Sequence, residues 1–365
     1  MRAQGHRLWQ HGVRPNHKGA PLKVFVIGGS GLISTAVRAE FLERGHEVVL
    51  FNRGLSPLRG PAPSRVIHGD RNDEAALREA MRAEKPDAVV DMVAFGPGQA
   101  EALLRAADGQ TPQLLVCSTV CVYGGPLTRL PAAEDEPHRP VTAYGRDKSA
   151  LEALILARGG AGQSGTVIRP SHTTGEGETA CGLLFDDGTV DRLRRGRPVV
   201  VMEDGAIPWA IAHVSDVARA FSAALGKPQA RGQAYQATSD EHTDWNGVYT
   251  AMAKAAGGPP PDLVGIPCDW LQRNAPRRSL GVQTVYKYPS IFDNAKAARD
   301  LGWRSQVGLV ETFRRQIAWM DAEGKGLNAD QDATQDELAA AWRAGRPADP
   351  ARFEDRNPWG NGIAG

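Results

Sequence analysis

A phenol and an ammonium stand four residues apart in Tyr144-Gly145-Arg146-Asp147-Lys148, the spacing that puts two side chains on one face of a helix. A cation beside a tyrosine favours phenolate. Such a pair can pass a proton to or from a substrate oxygen while hydride moves to or from a nicotinamide. Taken alone, the pair is an ordinary exposed helix face. It gains weight from Cys117-Ser118-Thr119-Val120-Cys121-Val122-Tyr123-Gly124, which follows an apolar run and sets the Thr119 hydroxyl at the carboxyl edge of a sheet, where α/β proteins bind ligands.

Upstream, Gly28-Gly29-Ser30-Gly31-Leu32-Ile33-Ser34 lies between a short apolar strand and a helix, where a glycine-rich turn brings backbone N–H groups and a helix start onto a pyrophosphate. Ser34 stands where a third glycine is often found. The second strand ends in Phe51-Asn52-Arg53-Gly54, without the acid that would hydrogen-bond adenosine ribose hydroxyls and repel a 2′-phosphate. Asn52 is uncharged and Arg53 can hold a phosphate, so the expectation is NADP, with NAD as the other reading. His68-Gly69-Asp70-Arg71 follows the third strand and places Asp70 beside the adenine end. Cofactor contacts are expected from Gly28, Ser30, Gly31, Leu32, Ile33, Asn52, Arg53, Asp70, Arg71, Val93, Ala94, Tyr144, Lys148, Pro170 and His172, and substrate contacts from Thr119, Val120, Tyr144, His172, Trp209 and Lys287.

These residues need a scaffold that alternates strand and helix, and the sequence supplies one. Strands are expected at 22–27, 47–51, 65–68, 87–91, 113–118 and 166–169, with helices at 32–44, 73–84, 98–107 and 143–157 between them. Near-continuous apolar strands separated by amphipathic helices imply a parallel sheet covered on both faces. From about residue 171 the rhythm breaks into loops, a strand at 198–202 and helices at 214–225, 246–256 and 309–320. The fold class is therefore α/β: a Rossmann-type doubly wound parallel sheet with a smaller C-terminal substrate-binding lobe. The expected divisions are a disordered basic arm over 1–21, a dinucleotide-binding domain over 22–170, the substrate lobe over 171–325, and a polar tail over 326–365 carrying one helix near 335–343.

The composition agrees with a folded enzyme. The 365 residues are 41% hydrophobic and 23% charged, with 43 Lys and Arg against 42 Asp and Glu, a net charge of +1. That balance gives no global attraction to nucleic acid or to an anionic membrane. The absence of a long apolar span or a signal-like start leads to a cytoplasmic expectation. Cys117, Cys121, Cys181 and Cys268 form neither a disulfide framework nor a metal-ligand spacing, and no metal is expected. Glu134–Glu136 and the Arg192–Arg197 cluster are expected to be solvated, and His213 to be structural.

In order along the chain, the glycine turn, STVCVYG, YGRDK, IRPSHTTG (168–175), AHVSDVA (212–218) and DNAKAARDLGW (293–303) resemble the extended short-chain dehydrogenase/reductases, the NAD-dependent epimerase/dehydratase family, from about Lys23 to about Met320. LFNRG and GDRND are similar to the branch that contains chloroplast stem-loop-binding proteins. The resemblance implies Thr119 as the carbonyl-polarising donor, Tyr144 as acid/base, and Lys148 as the residue that tunes Tyr144 and holds the nicotinamide ribose. It also implies a homodimer. Val120 and Cys121 replace the Asp-Glu that follows the threonine in sugar-nucleotide 4,6-dehydratases, which disfavours dehydration. Between Ser279 and Ser290 only Lys287 is cationic, where a sugar-nucleotide epimerase normally offers an arginine. Arg277 and Arg278 lie earlier. Three readings follow: an epimerase acting on a carbohydrate-like alcohol, an NADPH-dependent ketone reductase, and a non-catalytic nucleotide-sensing or RNA-binding member. The retained Thr119, Tyr144 and Lys148 count against the last.

Overall fold

A computed structural model describes residues 20–157, 164–179, 182–184, 187–326 and 328–353. Most of the expected basic arm, together with Cys181 and the end of the expected tail, lies outside them.

The chain opens with β1 (Lys23–Ile27), α1 (Leu32–Glu43), β2 (Glu47–Asn52), β3 (Arg65–His68), α2 (Glu74–Glu84), β4 (Ala88–Asp91), α3 (Pro97–Ala107), β5 (Gln113–Cys117), α4 (Ala143–Ala157) and β6 (Ser164–Pro170). It continues through β7 (His172–Thr174), α5 (Thr189–Arg194), β8 (Val199–Met202), β9 (Pro208–Trp209), β10 (Ile211–His213), α6 (Val214–Ala224), β11 (Ala234–Ala237), β12 (Thr243–Asp244), α7 (Trp245–Ala256), β13 (Leu263–Ile266), α8 (Cys268–Asn274), α9 (Ala295–Leu301), α10 (Leu309–Glu323) and α11 (Thr334–Arg343).

Seven strands form one parallel sheet in the order β3-β2-β1-β4-β5-β6-β11. The side chains explain the layering. In β1, Val24 and Val26 join a core with Val37 and Phe41 of α1 and Val217 and Phe221 of α6, whereas Phe25 and Ile27 join Leu103, Leu114 and Leu151 on the opposite face. Alternate side chains point to opposite faces of a strand, so the apolar run Val24–Ile27 of β1 needs cover on both sides. The first expected break in the rhythm is only partial, because β11 returns to the sheet edge and α6 to its face.

A second core fills the remaining lobe. Val199 to Met202, Trp245, Val248, Phe313 and Ile317 pack together there, with Leu338 and Ala339 of α11 and also Phe353 inserted among them. The C-terminal residues up to 353 are thus docked on the lobe. Arg192 is fully buried and pairs with Asp336 at 2.8 Å, Arg194 with Asp321 at 2.6 Å, Arg195 with Asp330 at 2.9 Å and Arg197 with Asp336 at 2.5 Å. The expectation of a solvated arginine cluster holds for the exposed Arg194 and Arg195 and is corrected for the buried Arg192 and half-buried Arg197, and the pairs together make an ionic seat for the docked segment. Glu136 departs from the solvated reading as well, being buried and accepting from the Thr128 amide at 2.8 Å and from Arg139 at 3.1 Å. Glu134 accepts from the Gln236 amide at 3.0 Å, while Asp135 stays exposed beside Arg129.

Candidate active site

The glycine turn leaves β1 with Gly28 at φ +105° and Gly29 at φ +102°, a region L side chains rarely enter. A Cβ on Gly29 would stand 2.8 Å from Leu50 Cδ2, so close packing on β2 requires glycine as much as the turn does. Gly31 precedes α1 and no side chain caps the helix, which leaves the first-turn amides of Leu32 and Ile33 directed at the turn. Behind the turn, the buried Arg38 donates to the Gly29 carbonyl at 2.7 Å and to the Arg59 carbonyl. Burial lowers the pKa of this guanidinium from its ordinary value. The sequence carried a signal for Arg38: it sits four residues after Ser34 and three before Phe41, on the buried stripe of α1.

The cleft beside this turn is lined by Gly28, Ser30, Asn52, Arg53, Asp70, Arg71, Val93 and Phe95. Asn52 is committed to the backbone, donating to the Gly28 carbonyl at 3.2 Å and accepting from the Gly54 amide at 2.9 Å. Arg53 is exposed on the cleft wall. Asp70 accepts from the Asn72 amide at 2.9 Å. Arg71 is buried, and one of its nitrogens, Nη2, holds the fully buried Asp91 at 2.6 Å, while Nε and Nη1 have no hydrogen-bond partner among the described residues. Two unpaired guanidinium donors in a cleft wall fit an acceptor-rich ligand such as a dinucleotide.

At the sheet's carboxyl edge, Thr119 is buried and accepts from the Cys121 amide at 3.1 Å, and its side chain is close enough to the Tyr144 phenol to favour phenolate. Lys148 is only 2% exposed and donates to the carbonyls of Ala94 and Cys117, each at 2.7 Å. Its Nζ lies 5.8 Å from the centre of the Tyr144 ring and 5.1 Å from that of Phe95. The three residues expected to act together are therefore neighbours. The direction of the phenol's shift differs from the one expected for a lysine-assisted tyrosine. Burial, followed by Cys121 and Cys117, raises Tyr144 well above its ordinary value, against the lowering effect of Thr119. Burial likewise pulls Lys148 below its ordinary value, although Cys117, Asp91 and Glu152 oppose it. The same burial pushes the Cys117 thiol up to about 11, which suits an inert packed residue.

Beneath this pair, Tyr123 takes Arg169 Nη1 at 2.7 Å and Gln236 Nε2 at 3.0 Å on its hydroxyl oxygen, and Arg169 grips Glu152 of α4 through bonds of 2.5 and 3.0 Å. The segment carrying Thr119 and the helix carrying Tyr144 are thereby tied to β6, whose last residue is Pro170.

The other expected substrate residues are dispersed. Val120 packs with Val122, Tyr123 and Phe292 in a small separate cluster. Trp209 is buried in the lobe core, 4.7 Å from Trp245 between ring centres, as an ordinary packing aromatic would be. His172 meets Trp209 edge-on at 6.2 Å and Tyr286 at 6.3 Å, and burial lowers its pKa to about 4. Lys287 is exposed and lies 5.3 Å from the Tyr288 ring, while Arg278 is held in the lobe by Asp332 and Thr334. His213 has the structural place expected of it, capping α6 by accepting from the Ser215 amide at 3.1 Å and lying 3.2 Å from Glu176. Phe95 and Gln99 escaped the sequence reading because nothing in an Ala-Phe-Gly-Pro loop marks a ring that leaves the core. Among the described residues no three His, Cys, Asp or Glu side chains converge as a metal site.

A parallel sheet ordered 3-2-1-4-5-6, a glycine turn at its first strand and a Tyr-Lys helix at its carboxyl edge define a Rossmann-type nicotinamide enzyme. The chain belongs to the NAD dependent epimerase/dehydratase family, whose model matches residues 24–103 and 98–237. It is an NAD(P)-dependent enzyme of epimerase or oxidoreductase type, as the resemblance implied. It is 28% identical to the 2′-dehydrokanamycin reductase of Streptomyces kanamyceticus over 90% of this chain and 92% of that one. It is 27% identical to the chloroplast stem-loop binding protein of 41 kDa b of Arabidopsis thaliana over 79% and 76% of the two chains. Its fold matches the crystal structure of a UDP-glucose-4-epimerase from Stenotrophomonas maltophila with bound NAD and formylated UDP-arabinopyranose, at TM-score 0.69 and 22% identity over 83% and 99% of the chains.

Proposed function

We propose that this chain moves hydride reversibly between a nicotinamide dinucleotide and a secondary alcohol of a carbohydrate or sugar-nucleotide-like substrate, with epimerisation as the net reaction. The observation that carries the reading is the convergence of Thr119, Tyr144 and buried Lys148, with the Lys148 ammonium 5.8 Å from the Tyr144 ring one helical turn away, at the sheet edge and next to the dinucleotide cleft. The division of labour follows the sequence reading: residues 22–170 hold the dinucleotide, and residues 171–325 face the substrate.

When bound, the nicotinamide supplies the acceptor and then the donor of hydride. The chain does the rest. Thr119 donates to the reacting oxygen and fixes its place. Tyr144 takes the hydroxyl proton as the alcohol is oxidised and returns it when the ketone is reduced from its other face. Lys148 supplies the positive charge that makes the phenolate accessible despite burial, and it holds the nicotinamide ribose. Arg38 keeps the glycine turn in shape. Arg71 offers its two unpaired donors to the nucleotide. Arg53, with no acid at the end of β2, favours NADP over NAD. The compartment in this reading is the cytoplasm. Among the described residues no helix is long and apolar enough to cross a membrane.

The reductase relative that matches nearly end to end supports a second reading, net reduction of a ketone on a glycoside by NADPH. Cofactor stoichiometry separates the two, since an epimerase needs no net turnover of nicotinamide and a reductase consumes one per product. For either reading, Tyr144→Phe is expected to lower kcat by roughly a hundredfold or more while cofactor still binds. Unchanged turnover would overturn the role given to the phenol.

A further inference from the structure

Single exposed apolar side chains are ordinary, but two large ones line one cleft: Leu55, 76% exposed, and Phe95, 54% exposed. Phe95 is also the member of the cleft lining that touches the redox pair, with its ring centre 5.1 Å from Lys148 Nζ and 6.5 Å from the Tyr144 ring. Its place is fixed from the nucleotide end. The Phe95 amide donates to Gln99 Oε1 at 2.7 Å, Gln99 Nε2 donates to Asn72 Oδ1 at 2.9 Å, and Arg71 Nη2 reaches the Gln99 carbonyl at 3.3 Å. Asn72 and Arg71 belong to the turn after β3, so the loop after β3 and the loop after β4 hold the ring together. Gly96 next in sequence starts α3 with an extended backbone and no capping side chain, which leaves Gln99 as the group that orders this corner.

We propose that Phe95 is a positioning residue of the redox site: its exposed ring face is the surface on which the nicotinamide end of the dinucleotide is laid beside Tyr144, and Gln99 sets that surface. The proposal rests on the hydride-transfer reading above. A flat heteroaromatic ring gains apolar contact and a preferred stacking geometry there, and the ring's other neighbour, the Lys148 ammonium, is kept out of bulk water. Leu55, across the cleft after β2, serves the adenosine half, so the two exposed side chains divide the dinucleotide between them.

Calorimetric titration of the full chain with two probes tests this. One is NADP, and the other is 2′-phospho-adenosine diphosphate ribose, which has the same adenosine half and no nicotinamide. NAD and ADP-ribose replace them if NAD is the tighter dinucleotide. Phe95→Ala is expected to weaken the dinucleotide about tenfold, equivalent to about 1.4 kcal/mol, and the truncated probe less than twofold. Gln99→Ala keeps the ring and is expected to weaken the dinucleotide about threefold, again selectively, which guards against a Phe95 variant that fails to fold. Equal weakening of both probes places the ring at the adenosine end and overturns the proposal, as does no weakening of either. A wild-type chain that binds neither probe overturns the hydride-transfer reading itself, so the two failures are distinguishable.

Discussion

Two buried cations near the glycine turn and the Tyr-Lys helix are anchored differently from four arginines of the lobe. Around the dinucleotide cleft, Arg38 and Lys148 are buried and hold backbone carbonyls: Gly29 and Arg59 in one case, Ala94 and Cys117 in the other. In the lobe, Arg192, Arg195, Arg197 and Arg278 hold the carboxylates of Asp336, Asp330 and Asp332. A carbonyl orients a cation without cancelling its charge, whereas a carboxylate neutralises it. The first arrangement keeps positive potential available for a phosphate or a developing phenolate. The second ties one segment to another. The same residue types therefore serve different ends, and the partner alone does not sort them: Arg71 at the cleft is held by the buried Asp91 carboxylate, and Arg192 in the lobe also donates to the Pro198 and Asp332 carbonyls.

A paired substitution, one cation from each group, separates the two roles. Lys148→Met is expected to lower kcat by roughly a hundredfold or more, because the charge that eases phenolate formation is lost while both carbonyls lose only a donor. Arg278→Met should instead leave kcat per folded molecule unchanged and lower unfolding free energy by about 3 kcal/mol, since Asp332 stays buried without its countercharge. Steady-state assays with denaturant melts read both. A stable Arg278→Met chain, or a Lys148→Met chain with normal kcat, would erase the distinction.

His172 sharpens the boundary between the halves, because it leaves β6 and meets the lobe aromatics Trp209 and Tyr286. Burial lowers its pKa to about 4, below its unfolded value, so the folded chain binds this proton less readily than the unfolded one. Its contribution is complete above about pH 6.5 and disappears as pH falls toward 4, at a cost on the order of 1–3 kcal/mol. His172→Phe keeps a ring and removes the titration, so chemical denaturation at pH 7 and pH 5 should show a smaller loss than in the wild type. Equal losses would show that the histidine is solvated.

The half that carries the glycine turn was also the half that could be read from sequence. Its strands are continuous apolar runs because both sheet faces are covered, and the glycine turn follows β1 directly. Thr119, Tyr144 and Lys148 were legible because each falls at a fixed place in a β-α unit. The lobe was not legible in the same way. β9 and β12 are two residues each, too short to carry a period. The Arg192–Arg197 run looks solvated until its partners are placed, and Arg194 meets Asp321 across 127 residues while Arg197 meets Asp336 across 139. Local pattern reports which face of an element is buried, but not which distant carboxylate will arrive there. The raised phenol has the same origin, since spacing shows the lysine nearby and not the burial of the phenol.

The smallest effect belongs to the most exposed part of the ionic seat. Arg195 reaches Asp330 and Asp191, and Arg197 also reaches Asp330, with that carboxylate more than half exposed. Exposed pairs contribute about 0.2–1 kcal/mol each and are screened by salt, whereas the Arg192–Asp336 pair beneath them involves a fully buried arginine side chain. Arg195→Ala should therefore cost the least stability of these variants, and the cost should shrink further in 0.5 M salt, on the order of a 4 Å screening length. If the loss instead exceeded that of Arg278→Met, or stayed constant with salt, the seat would be held at its rim rather than at its buried pairs, and neutralisation by carboxylates could not be ranked by burial as argued here.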